Sequence, residues 1–145
     1  MIKLEENEIK DLIASAIQVR ANAYAPYSKF RVGAALLGTD GCIYTGCNIE
    51  NASYPVGLCA ERSAFASAIS KGCRTFRAIA IVGGPEDSPL ADCPPCGMCR
   101  QFMREFCDST FPVIMATSAT EYRILTIGEL LPESFGPDTM TSEEN

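Results

Sequence analysis

The sequence predicts a three-layer α/β/α sandwich around a mixed sheet of about five strands, and three observations lead there. Apolar residues recur at helical spacing in three separate stretches. Between and after them lie short runs rich in Val, Ile, Phe and Ala, bounded by Gly, Pro and Asp, which read as strands. An opening hairpin forces at least one antiparallel pair, so the sheet cannot be wholly parallel.

In chain order, Ile9, Leu12, Ile13, Ala16 and Ile17 mark an amphipathic helix from about Glu5 to Ala23, with acidic residues near its start and Arg20 near its end to suit the macrodipole. Pro26 breaks it, because the residue before a proline is pushed out of the helical region. Phe30 to Leu37 and Cys42 to Gly46 form the hairpin around Gly38-Thr39-Asp40-Gly41. The polar stretch from Cys47 to Pro55 reads as a loop of the kind that carries binding groups. Cys59 to Ser70 is helical again and stops at Gly72. Its Ala60, Ala64 and Ala68 make a small-residue stripe that lets another helix approach, within the chain or across a subunit interface.

Phe76 to Val82 is a continuous apolar run, the mark of a strand covered on both faces. A proline-rich loop to Pro95 leads into a third helix, Cys96 to Cys107. Phe111 to Ala116 and Tyr122 to Thr126 complete the strands, and Ile127 to Leu131 forms a short helix. Pro132 to Asn145 reads as acidic and partly disordered. At 145 residues and 47% hydrophobic content the chain fits one domain, placed at 1–136, with an acidic tail at 137–145.

Charge narrows the partners. A formal net charge of −6 opposes attraction to nucleic acid or to an anionic membrane, both of which reward a basic face. No run approaches the length of a membrane span, and Lys3, Glu5 and Glu6 stand where a signal peptide needs apolar residues. We therefore expect a cytoplasmic protein whose 8 cysteines are thiols or metal ligands rather than disulfides. With no histidine in the chain, any metal site must use Cys, Asp or Glu.

Two clusters stand out: Cys59-Ala60-Glu61-Arg62, and Pro95-Cys96-Gly97-Met98-Cys99. Taken alone, Cys96 and Cys99 fit half a zinc site, a redox pair or two unrelated thiols. With Cys59 they supply three ligands and leave a fourth position for water, as catalytic rather than structural zinc sites do. At a loop-to-helix junction Cys59 and Glu61 can face one pocket, so Glu61 can carry protons without binding the ion. Zinc with three thiolates is net negative, which calls for compensation from two helix N-termini and from Arg62 beside the cluster.

These motifs, with Ala25 to Phe30, Val32 to Leu37, Gly46 to Ala52, Cys99-Arg100-Gln101 and Glu129 to Pro132, resemble the small single-domain, zinc-dependent nucleoside cytidine deaminases. The resemblance implies one zinc ion per chain on Cys59, Cys96 and Cys99, with Glu61 as proton shuttle. It implies that Asn48 and Glu50 bind the ribose hydroxyls, Phe30 packs on the pyrimidine, the Ala60 amide holds the base carbonyl and the Pro95 carbonyl meets the departing amine. It further implies a homotetramer whose active sites borrow Tyr54 and Phe135 from neighbouring subunits, and a reaction that converts cytidine and 2'-deoxycytidine to uridines in pyrimidine salvage. Cys42, Cys47, Cys73, Cys93 and Cys107 match no catalytic position, although Cys93, three residues before Cys96, is a competing ligand. Were it to close the shell, a catalytically idle zinc module would be the better reading.

Overall fold

The computed structural model describes residues 3–141. Helix α1 (Glu6–Arg20) is followed by strands β1 (Phe30–Gly38) and β2 (Ile43–Cys47), helix α2 (Ala60–Ser70), strand β3 (Phe76–Pro85) and helix α3 (Gly97–Phe106). Strands β4 (Pro112–Ala116) and β5 (Tyr122–Thr126) and the short helices α4 (Ile127–Leu130) and α5 (Pro137–Met140) complete the order. The five strands lie in the order β2-β1-β3-β4-β5. Only β3 and β4 run parallel, joined by the α3 crossover, while β1 is antiparallel to both its neighbours and β4 to β5. This is the mixed, three-layer arrangement expected from the alternation of strands and helices.

Alternation along β3 assigns the two faces. Ala78, Ala80 and Val82 pack with Leu12, Ile13 and Ala16 of α1, and Ile79 and Ile81 pack with Phe65 of α2 and Met103 of α3. Phe65 sits at the centre of an aromatic cluster with Phe76, Phe102 and Phe106. Fully burying a side chain such as Phe65 contributes about 1.5–3 kcal/mol, so this cluster holds α2 and α3 together on one face.

Two glycines set how closely the helices lie. A Cβ on Gly33 of β1 would come within 2.1 Å of the Ala16 carbonyl oxygen, and one on Gly46 of β2 within 2.3 Å of the Ala64 nitrogen. The alanine stripe on α2 therefore meets a strand, not the helix expected from its spacing, because the bare Gly46 backbone lets the helix backbone press against it.

The C-terminal segment also departs from expectation. Rather than leaving the surface at Pro132, it runs along α3: Arg104 donates to the Ser134 hydroxyl at 2.8 Å and to the Asp138 carboxylate at 2.6 Å, and Gln101 donates to the Phe135 carbonyl at 2.9 Å. A low apolar content predicted disorder, but cationic and amide side chains on α3 supply the partners. The rest of the expected tail, 142–145, lies outside the described residues.

Overpacking at Gly46 should be costly. Gly46→Ala is expected to lower unfolding stability by about 1–3 kcal/mol in urea titrations, whereas Thr45→Ala on the exposed side of β2 should stay within about 0.5 kcal/mol. Equal losses would mean that α2 is not seated against this strand.

Candidate active site

Two loops converge on one end of the sheet, one running from β2 to α2 and the other from β3 to α3. Each ends on a cysteine: Cys59 is the N-cap residue of α2 and Cys96 that of α3, both in extended backbone. Neither thiol caps the backbone amides of its own helix, and the two face one another with sulfurs 3.9 Å apart. Cys99, in the first turn of α3 and fully buried, brings the third sulfur, and all three lie within 4.8 Å of one another.

Zinc–sulfur bonds of about 2.3 Å give a tetrahedral sulfur–sulfur edge of about 3.8 Å, so the trio fits this ion with little adjustment. Among the described residues no fourth Cys, Asp or Glu joins the cluster. Cys93 does not close it: its sulfur packs over Gly83, where a Cβ would lie 2.6 Å away, and burial pushes its thiol up to about 12.

The electrostatics favour the thiolate form of these ligands. The N-terminal ends of α2 and α3, each worth roughly half a positive charge, open onto the sulfurs. Hydrogen bonding from the Cys99 thiol, together with Arg62 and Cys96, holds the Cys59 thiol well below its ordinary value, while Cys99 moves up because it keeps the shared proton. Arg62 Nη2 stands 3.6 Å from the Cys59 sulfur and 3.4 Å from the Gly57 carbonyl oxygen. Its Nε is buried without a hydrogen-bond partner among the described residues, a donor left over beside three thiols.

Glu61 is only 4% exposed, and burial pushes its carboxyl above the usual carboxylate range. It forms part of the wall of a cavity of about 660 Å3, together with Val32, Asn48, Glu50, Tyr54 and Ala60. That size suits a small-molecule ligand. Arg62, already turned to Cys59, is the one cation on the described wall.

Asn48 continues the β1 ladder beyond β2: its Oδ1 accepts from the Val32 amide and its Nδ2 donates to the Phe30 carbonyl, both at 2.8 Å. One amide hydrogen and one lone pair are left to face the cavity. Glu50 holds the turn before β1, accepting from the Tyr27 and Ser28 amides at 3.0 Å and from the Ser28 hydroxyl at 2.5 Å. The hydroxyl bond is the main reason its carboxyl is held below the usual range. No sequence signal singled out Ser28 as its partner.

Two expected residues are placed differently. Phe30 is half-buried and crowds Gly83, and it is Val32, two residues on along the same strand face, that reaches the cavity wall. Pro95 is buried, and its carbonyl accepts from Arg100 Nε at 2.8 Å, so the exposed Pro94 takes its place on the wall. Tyr54 is 75% exposed at the cavity mouth, its ring 5.9 Å from that of Tyr27. Phe135 lies off this cavity and is 59% exposed.

Comparison with known proteins agrees with this geometry. Residues 6–115 match the family described as the cytidine and deoxycytidylate deaminase zinc-binding region. The chain is 45% identical over 134 residues to the cytidine deaminase of Sporosarcina psychrophila, spanning 92% of this chain and 96% of that protein. It is 46% identical over 129 residues to that of Halalkalibacterium halodurans, spanning 89% and 95% of the two chains. Among solved structures, cytidine deaminase from Burkholderia pseudomallei superposes with a TM-score of 0.78 at 44% identity, covering 91% of this chain and 100% of that one.

Removing the Arg62 guanidinium takes away a donor that favours thiolate at Cys59, so the sulfurs should bind protons at higher pH and release metal sooner on acidification. Arg62→Ala is expected to move the acid edge of zinc retention up by about 0.5–1 pH unit, measured by metal content after dialysis across a pH series. An unmoved edge would show that the thiolate charge is offset elsewhere.

Proposed function

This chain belongs to the cytidine and deoxycytidylate deaminase zinc-binding family, and we infer that it hydrolyses cytidine and 2'-deoxycytidine to the corresponding uridines with release of ammonia. The observation that carries the reading is a buried carboxylate, Glu61, beside three clustered thiols in the wall of a cavity of nucleoside size.

Cys59, Cys96 and Cys99 hold one zinc ion per chain. When bound, zinc supplies a Lewis acid that makes a water molecule acidic enough to act near neutral pH. Glu61 would take a proton from the attacking water and deliver it to N3 of the pyrimidine as the oxygen adds to C4. It would then carry the second proton, from the oxygen now on C4, to the amine as the C4–N bond breaks, so the C4 carbonyl forms, uridine keeps the proton on N3 and ammonia leaves. Its burial supports this role, because a raised proton affinity suits a group that must both take and give.

The Ala60 amide is at the first position of α2, where helix geometry leaves N–H groups without an internal partner, and it binds the base carbonyl. Asn48 and Glu50 bind the ribose hydroxyls with the hydrogen-bonding capacity that the β1 ladder and the preceding turn leave free. The Pro94 carbonyl, rather than that of Pro95, receives the departing amine. Phe30 backs the pyrimidine wall behind Val32. A wall with no free cation suits a nucleoside better than a nucleotide, and the net charge of −6 speaks against a nucleic-acid substrate.

The active sites are shared in a homotetramer, with Tyr54 and Phe135 lent to neighbours. The exposed apolar side chains of Ile49, Tyr54, Val56 and Met98 about the cavity support this, since a lone chain leaves them to water. Pyrimidine salvage in the cytoplasm is the setting. The eight unbridged cysteines suit a reducing compartment, and no described helix is long and apolar enough to cross a membrane.

Zinc-loaded protein should convert cytidine and 2'-deoxycytidine, followed by loss of ultraviolet absorbance, and leave cytosine and deoxycytidine monophosphate largely unchanged. Glu61→Ala should retain zinc while turnover falls by about 10²–10⁴-fold. Zinc-loaded wild-type protein inert towards every one of these compounds would defeat the reading.

A further inference from the structure

The two ligand loops are held very differently. The chain before Cys59 is fixed by backbone, since Ile49 and Leu58 exchange hydrogen bonds of 2.9 Å in both directions. The loop before Cys96 has no such support. Its last backbone tie is the Ala91 amide to the Gly83 carbonyl at 2.8 Å, and the next is the Cys96 carbonyl, which accepts from the Arg100 amide at 3.0 Å. Between them Pro94 and Pro95 have no N–H to give, and among the described residues no backbone–backbone hydrogen bond involves positions 92–95.

Two side chains tie this gap: at its exposed start Arg123 of β5 donates to the Asp92 carboxylate at 2.9 and 3.2 Å, and at its end, next to the ligand, Arg100 holds Pro95. Arg100 lies one turn into α3, with Nε donating to the Pro95 carbonyl at 2.8 Å and Nη1 to the Leu130 carbonyl at 2.7 Å. The Pro95 carbonyl is directly joined to the Cys96 nitrogen. Leu130 closes α4, which is anchored by the buried Ile127 and Leu130 side chains and capped by reciprocal bonds between Thr126 and Glu129. A planar guanidinium with donors in a fixed fork holds both carbonyls at once, and the half-buried setting strengthens the bonds.

We propose that Arg100 is a positioning residue for the metal centre: it staples the end of the loop carrying Cys96, where no backbone bond holds it, to the buried end of α4 and so fixes where the Cys96 sulfur stands. The proposal rests on the reading that Cys96 is a zinc ligand. Cys99 lies within the helix and Cys59 on a backbone-bridged loop, so Cys96 is the ligand whose place depends on a side chain. Loss of Arg100 should then loosen one of three metal bonds without removing any ligand.

The test uses full-length, zinc-loaded protein. Arg100→Met should release zinc to an excess of a chromophoric chelator about 10-fold faster or more, in the range found when groups supporting metal ligands are removed. With cobalt in place of zinc, its thiolate-to-metal absorption bands should shift. Arg104→Met serves as the control, since it takes a guanidinium from the same helix but one bonded to Ser134 and Asp138, not to the ligand loop; it should lower the melting temperature and keep the wild-type release rate. If Arg100→Met does not fold, Arg100→Gln, too short to span both carbonyls, should show the same acceleration. A folded Arg100 variant with the wild-type release rate and cobalt spectrum, even one that melts lower, would overturn the proposal. Wild-type protein that retains no zinc would instead defeat the deaminase reading itself.

Discussion

Three cysteines within one ion's reach would, as the thiolates that bind metal, concentrate more negative charge than a half-buried site tolerates unaided, and the surroundings of the cluster answer that constraint. Two helices begin on the ligands themselves, so their partly positive ends meet the sulfurs without any added side chain. Arg62 adds a full charge beside Cys59, and the ion itself would supply two more. Burial raises the proton affinity of the Glu61 carboxyl in the same cavity wall.

Holding two helix starts together is a packing problem, and the chain solves it with small residues in one place and large ones in another. Gly46 lets α2 sit directly on β2, and Phe65, Phe102 and Phe106 lock α2 to α3 from behind. The close approach fixes where Cys59 stands relative to the sheet, and the aromatic cluster fixes α3 and hence Cys99. The loop before Cys96 is the weak member, and next to the ligand an arginine side chain, Arg100, does what backbone hydrogen bonds do for the other loop. Precision in the cavity therefore comes from the layers beneath it rather than from the loops that line it.

Most of this was legible in the residues. Helical and strand periodicities located every main element within a few positions, because each buries a defined face. The pairing of Cys59-Ala60-Glu61-Arg62 with Cys96 and Cys99 was legible because metal chemistry demands those donors. Less could be read where the answer depends on the path of an irregular loop. Two adjacent prolines are equivalent in sequence, and only the turn of the chain decides that Pro94 faces the cavity while Pro95 faces Arg100. Phe30 and Val32 share a strand face, and it is the packing of the Phe30 ring against Gly83 of β3 that leaves Val32 to meet the cavity. The acidic C-terminal segment looked disordered because composition does not reveal the partners that Gln101 and Arg104 provide across more than 30 residues of chain.

The site's chemistry rests on an ion bound by three sulfurs with one position left open. Zinc-edge X-ray absorption on the metal-loaded protein should show three sulfur neighbours at about 2.3 Å and a single oxygen at about 2.0–2.2 Å. A shell of four sulfurs, with Cys93 drawn in, would instead describe a closed structural site.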